Sequence, residues 1–285
     1  MPNIKHIVFP VDFSDRSKSV VPFVAEMARQ NNAKVTLIAV AQPHYESGLA
    51  GAPIINPALI LSDLKSELDG AFLSDFVGLK VERVAILGDP GRAITDFVNA
   101  HEVDLVMMPT HGYGPFRQFL LGSVTAKVLH DSGVPVWTTA HAGEMPSGKG
   151  LAPHTVLCAI EASPVSIELM RWAASLCKKL GATLRFVHAV PAIEALPESR
   201  MDLEFEETLL DNAERRIQDL EKTADIEVPI CVGTGTVADV VREAALQHKA
   251  DLVLIGRGTL QETMGRLRTR CYGIIRNAPC PVLSV

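Results

Sequence analysis

The chain carries one succession of sequence signals twice. His6–Ser17 (HIVFPVDFSDRS) is echoed by Thr155–Ser166 (TVLCAIEASPVS): an apolar run, an acidic residue (Asp12, Glu161), then a serine two positions on (Ser14, Ser163). AKVTLIAV at Ala33–Val40 returns as ATLRFVHAV at Ala182–Val190, and DLVMMP at Asp104–Pro109 as DLVLIG at Asp251–Gly256. VPVWTT at Val134–Thr139 returns as CPVLSV at Cys280–Val285. The offset is 149 residues from Asp12 to Glu161, 147 from Asp104 to Asp251 and 146 from Pro135 to Pro281. So steady an offset means one duplicated module, and 285 residues suit two domains of about 100–150 residues each. Between them HAGEMPSGKGLAPH, His141–His154, is rich in Gly, Pro and polar residues and has no periodicity, which marks a linker. The expected boundaries are 1–142, 143–153 and 154–285.

Within each half, short apolar runs alternate with amphipathic helical stretches, the pattern of a parallel sheet covered on both faces. The spacing predicts two open five-stranded parallel sheets of Rossmann-like form. Strands begin near Ile4, Lys34, Lys80, Asp104 and Pro135 in the first half, and near Thr155, Thr183, Ile226, Asp251 and Pro281 in the second. Ser14 is placed to N-cap a helix carrying Val20, Val21, Val24 and Met27, and Ser163 is expected to do the same before Ile167, Met170 and Ala174. The last strand of each half follows a short Pro-containing loop and is expected near a sheet edge, free to pair with another module or with a second copy of the chain.

Several function classes are disfavoured. A formal charge of −6, with no basic block beyond Arg266, Arg268 and Arg270, argues against nucleic acid and anionic membranes as partners. No apolar run approaches the roughly 18 residues of a membrane span, and the N-terminus lacks the composition of a signal or transit peptide; a cytoplasmic location is expected. The five cysteines form no CxxC pair and the nine histidines no HxxxH or HExxH, so reduced thiols and no protein-held metal are expected.

MMPTHGYGPFRQFLLGSVTAKVLHDSGVPVW, Met107–Trp137, raises the chemical question. In an open parallel sheet, ligands settle outside the carboxyl ends of the strands where strand order reverses. The ends Pro10-Val11-Asp12 and Met108-Pro109-Thr110 are both expected there. The loop then reaches Gly122-Ser123-Val124-Thr125, which opens a helix continued by Val128 and Leu129. Amides at a helix N-terminus bind anions, and residues without a Cβ let phosphate oxygens approach. A plain loop-to-helix connection is the competing reading. Asp12 is open between a helix-dipole charge and a ligand contact, and His111 between capping the loop and meeting a phosphate.

Strand-PVDFS-helix, THG after a DLVMM strand, nine residues, then GSV and a closing GVPV strand resemble the universal stress protein family, and the resemblance covers both halves. It implies an adenine nucleotide alpha hydrolase-like fold and binding of ATP, with ADP or AMP as alternatives and Mg2+ held through the phosphates. ATP-binding members carry G-x2-G-x9-G-[ST]. Gly112, nine residues, Gly122 and Ser123 match it, while Pro109 stands at its first glycine, removing one N–H and one close approach. By the same resemblance Asp12 lies beside the ribose and phosphates, Val40 offers backbone groups to adenine, and Gly112, Gly122, Ser123 and Val124 line the triphosphate.

The second half reads LIGRGTLQETMGRLRTRCYGII at this point. Gly256 takes the place of Pro109, one residue is missing before Gly258, and Arg268-Thr269 replaces Gly122-Ser123. An arginine side chain there either fills the pocket as a built-in cation or forks onto an anion. The half is read as degenerate and structural. A modified anion site of Glu161, Gly256, Arg257, Gly258, Arg268 and Thr269 is the alternative, with Glu161 in place to pair with an arginine. Gln42–Pro57 is a lid or a surface loop, and Pro197–Ala224 an acidic helix with a core stripe of Leu203, Leu209, Leu210, Ile217 and Leu220. No Walker motif, SGGxDS loop or Ser-His-Asp spacing favours an enzyme. A nucleotide-binding stress-response module is expected, with a slow ATPase or a nucleotide-free dimerising scaffold as the other readings.

Overall fold

The computed structural model describes residues 4–42, 56–111, 121–139, 152–192, 200–257 and 266–285, the last stretch and the helix from 200 by their backbone alone at 266–270 and 200–204. The chain divides into two compact units, Pro2–Ala142 and Gly143–Val285. Residues 43–55 of the Gln42–Pro57 segment, the loop 112–120 with Gly112, residues 143–151 of the expected linker 143–153, and Gly258 lie outside the described residues.

The first unit runs β1 (His6–Pro10), α1 (Asp15–Asn31), β2 (Lys34–Ala41), α2 (Pro57–Gly70), β3 (Val81–Leu87), α3 (Pro90–Ala100), β4 (Leu105–Pro109), α4 (Ser123–Asp131), β5 (Val136–Thr139). Its strand order is β3-β2-β1-β4-β5 with every pair parallel, from His6↔Lys34 between β1 and β2 to Pro109↔Thr139 between β4 and β5. Right-handed crossovers therefore lay α1 and α2 on one face and α3 and α4, which pack together, on the other. The second unit repeats this as β6 (Thr155–Ala159), α5 (Ser166–Leu180), β7 (Thr183–Val190), α6 (Arg200–Ala224), β8 (Ile230–Thr234), α7 (Val237–Gln247), β9 (Leu252–Ile255), α8 (Arg266–Asn277), β10 (Val282–Ser284), ordered β8-β7-β6-β9-β10 and again parallel.

Both cores are built on the central strands. Ile7, Val8 and Phe9 of β1 and Val156, Leu157 and Cys158 of β6 are wholly buried, as continuous apolar strands under two helical layers must be. Asp104 and Asp251, one of the clearest sequence echoes, tie the entry of each central strand to its neighbour. Asp104 accepts from the amides of Lys5 and His6, and Asp251 from those of His154 and Thr155.

Two local expectations need correcting. Ser14 does cap α1, its side chain accepting from the Ser17 amide. Ser163 does not cap α5: its buried hydroxyl has no partner among the described residues, and α5 begins after Val165 without a side-chain cap. Ser163-Pro164 forms a tight turn whose carbonyls receive the amides of Ser166 and Ile167, while the Ser166 hydroxyl turns back to accept from the Glu161 amide. The eighth strand starts at Ile230 rather than near Ile226. The Ile226 amide bonds the Glu221 carbonyl and the Val228 amide the Glu221 carboxylate, so this stretch is spent on terminating α6, and Pro229 has no N–H for a ladder. In α6 the core stripe settles on Ala213, Ile217, Leu220 and Ala224, with Leu209 and Leu210 half-buried and the Leu203 side chain outside the description.

Candidate functional site

Strand order in the first unit reverses between β1 and β4, and the ends of these two strands carry the residues singled out by the sequence. Pro10 and Val11 continue β1, the Val11 amide bonding the Ile38 carbonyl at 2.8 Å. Phe13 follows with φ 60°, a left-handed conformation that costs a bulky residue about 1–3 kcal/mol and that turns the chain sharply into α1. Asp12, exposed on this turn, uses Oδ1 to accept from the Ser14 amide at 3.1 Å and hydroxyl at 2.6 Å. One carboxylate oxygen thus steadies the turn.

Across the crevice, Met108 and Pro109 end β4 in buried positions. The Pro109 carbonyl accepts from the Thr125 hydroxyl at 3.1 Å, and the Thr110 carbonyl from the Gly122 amide at 2.9 Å. These two bonds fasten the start of α4 to the end of β4. Gly122 is the N-cap of α4 and offers no side chain. The amides of Ser123, Val124 and Thr125 therefore open the helix without a side-chain acceptor, unlike those of α1, α2, α3 and α7, which Ser14, Asn56, Asp89 and Thr236 cap. Four unpaired donors and a positive dipole end are the default state of such a terminus.

Gly122 has a reason within the chain as well. A Cβ there would come 3.1 Å from the His111 Cα and 3.3 Å from the Thr110 carbonyl oxygen. Its bareness lets α4 start directly against the backbone of the β4 exit. His111 is 6% exposed; its Nδ1 meets the Thr110 hydroxyl at 3.0 Å, while Nε2 is buried with no partner among the described residues. Arg16, in the first turn of α1, likewise has a buried Nη1 without a partner there. Sequence reading passed over Arg16, although a cation in the first turn of a helix opposes the dipole and is a signal in itself. Val40 lies at the end of β2, paired with Ile86 of β3 and half-buried. The described residues thus bring Pro10, Val11, Asp12, Met108, Pro109, Thr110, Gly122, Ser123, Val124 and Thr125 to one end of the sheet, the carboxyl end on which Val40 also lies. The uncapped entrance of α4 is chemically suited to an anion, whose charge its dipole end favours.

The second unit treats the same place differently. Glu161 is exposed at the end of β6, its amide engaged by Ser166. Gly256 follows β9; a Cβ there would come 3.2 Å from Leu169, and its carbonyl accepts from the Cys271 thiol at 3.4 Å. The Arg257 amide bonds the Val285 carbonyl at 2.8 Å, and burial pulls its guanidinium pKa below the ordinary arginine value. The α8 helix begins at Arg266, so Arg268 and Thr269 lie inside its first turns and not at its entrance, whereas Gly122 and Ser123 are the entrance of α4.

The model of the universal stress protein family matches residues 3–139 and again 153–285. Universal stress protein MJ0531 of Methanocaldococcus jannaschii is 29% identical over 138 residues, covering 46% of this chain and 79% of that protein. Universal stress protein A of Escherichia coli K12 is 33% identical over 110 residues, covering 38% of this chain and 76% of its own length. Among solved structures, a universal stress protein from Archaeoglobus fulgidus superposes with a TM-score of 0.71 at 22% identity over 99% of this chain and 96% of that one, a likeness of fold.

Proposed function

The chain belongs to the universal stress protein family, with two of its domains in one chain, and from that premise we propose that the first unit binds an adenine nucleotide as a sensor or regulator in a stress response. The observation that carries this reading is the entrance of α4: a helix opened by a bare glycine N-cap, without a side-chain cap, pinned beside the β1 and β4 ends. Its Ser123, Val124 and Thr125 amides suit the phosphates of ATP. Asp12 is placed at the crevice for the ribose and phosphate side, and the Val40 backbone for adenine. Mg2+ would be held through the phosphates. Gly112 completes the set in the resemblance-based reading.

We further propose a homodimer through the final strands, a cytoplasmic location and no nucleic-acid partner; among the described residues no helix is long and apolar enough to cross a membrane. A nucleotide-free scaffold is the second reading, favoured by one observation: Gly122 is already explained by its contact with Thr110 and His111. Thermal unfolding with and without Mg2+–ATP separates them. Ligand at a hundred times its Kd stabilises the folded state by about 2.7 kcal/mol and raises the melting temperature. An unmoved transition at millimolar ATP favours the scaffold, and ADP appearing over hours would make the protein a slow ATPase.

A further inference from the structure

At the opposite end of the second unit's sheet lies a cluster unrelated to the nucleotide crevice. Cys231, near the start of the outermost strand β8, has its Sγ 3.2 Å from Nε2 of His248, the C-cap residue of α7. Arg185, near the start of β7, acts on the same thiol through its positive charge, drawing its pKa down against the effect of burial. The register makes this meeting possible: Val187 pairs with Cys231, so Arg185 sits two residues back on the same face. Gly233, two residues after Cys231, faces Val240 of α7, which confirms that this side of β8 looks toward that helix.

We propose that Cys231 is a reactive thiol with His248 as its base and Arg185 as its charge partner, a modification site for hydroperoxides. The remaining cysteines have other surroundings, Cys271 lying beside Arg257. Burial pushes the Cys177 thiol up to about 11 and that of Cys280 to about 12, raises that of Cys158 further, and Cys271 donates to the Gly256 carbonyl. Cys231 is only partly buried; burial raises its thiol too, but Arg185 draws it back. The thiol therefore rests protonated and gives up its proton on attack, the arrangement in which an adjacent base matters most. With the imidazole proton on Nδ1, Nε2 accepts from S–H. The guanidinium of Arg185 favours the thiolate that results.

The step balances. His248 Nε2 takes the Sγ proton, and the sulfur electron pair forms an S–O bond to the terminal oxygen of the hydroperoxide as the O–O bond breaks. The departing alkoxide or hydroxide takes the proton from the imidazolium and leaves as alcohol or water. Sulfur is oxidised to a sulfenic acid and the hydroperoxide is reduced.

The test uses the full chain, limiting hydrogen peroxide and dimedone trapping, with each cysteine followed by peptide mass spectrometry. Cys271, also partly exposed, is the internal reference. Cys231 is expected to be trapped at least about a hundredfold faster than Cys271, the lower end of the range for a positioned base. His248→Asn should bring it down to the rate of Cys271, and Arg185→Met should slow it by a smaller factor. Equal wild-type rates for Cys231 and Cys271 overturn the proposal, as does a Cys231 rate unchanged in His248→Asn. Labelling of buried Cys158 reports unfolding; if His248→Asn exposes it, the wild-type ratio and Arg185→Met decide.

Discussion

The crossing from β4 to α4 and the crossing from β9 to α8 hang from the same frame and resolve the same space in opposite ways. In the first unit the strand exit is buttoned to the helix entrance by Thr125 and Gly122, and the helix opens without a side-chain cap. In the second, α8 starts at Arg266, ahead of the residues that correspond to Gly122 and Ser123, and Arg257 brings a partly buried cation to the strand exit. A guanidinium supplies by side chain the positive field that the first unit supplies by backbone, but it also occupies volume. The lesson is that a duplicated sheet can keep its strand order and its Asp104 or Asp251 fastening while the crossings at its carboxyl end diverge; under the proposed function only the first copy keeps a place for a polyanion.

The contrast can be broken most forcefully at the helix entrances. Gly122→Asp should remove phosphate contacts worth about 1.5–3 kcal/mol, a loss of about tenfold to a hundredfold in Mg2+–ATP affinity by calorimetry. Arg268→Asp should leave that affinity unchanged. Equal losses from both would show that the second unit shares in binding. Because a Cβ at Gly122 also presses on His111 and Thr110, the melting temperature of the ligand-free variant must be measured beside it.

The shared frame is tested next. Asp104→Ala and Asp251→Ala each strip a carboxylate from two backbone amides and should each destabilise their own unit by about 1–3 kcal/mol in denaturant unfolding. A loss confined to one would mean that the two fastenings are not equivalent.

Acid should separate the units by a smaller amount. His6, buried at the start of β1, holds its Nδ1 against the Glu102 carbonyl and Nε2 against the Thr36 hydroxyl, and Thr155 stands at the corresponding place in β6. Burial keeps the His6 pKa below the ordinary value of 6.5; Lys34 acts in the same direction, and the Glu102 hydrogen bond, Glu82 and Asp104 act against it. The unfolded histidine thus binds a proton at a pH where the folded one resists it. Stability falls as pH drops below 6.5 and is whole above it. Amide exchange, corrected for intrinsic rates, should show β1 losing more protection than β6 between pH 7 and 5.5. Equal loss in both would remove His6 from the account.

Much of the architecture was legible because it is written twice: apolar runs at a nearly constant offset, each followed by a helical stripe, leave little choice but two parallel sheets. The Ser14 cap was legible because its partner amide is three residues away. Ser163 misled because Pro164 starts a tight turn that postpones α5, and β8 was placed early because Ile226 and Val228 look strand-like while their amides serve Glu221. Of the candidate site, the strand ends and Gly122 could be read, since strand order and a bare N-cap are local or topological facts. The second role of Gly122 could not be, because it depends on the passage of the Thr110 and His111 backbone behind it. Nor could the Arg16 Nη1, which has no partner among the described residues, or the meeting of Cys231 with His248 across a strand and a helix.

A crystal structure grown with ATP and Mg2+ tests the central claim most directly. The account predicts one nucleotide per chain, its phosphates against the amides of Ser123, Val124 and Thr125 and its base toward Val40, with no nucleotide at Arg257 and the start of α8. Nucleotide at the second unit alone, or an empty first unit at saturating ATP, would contradict it.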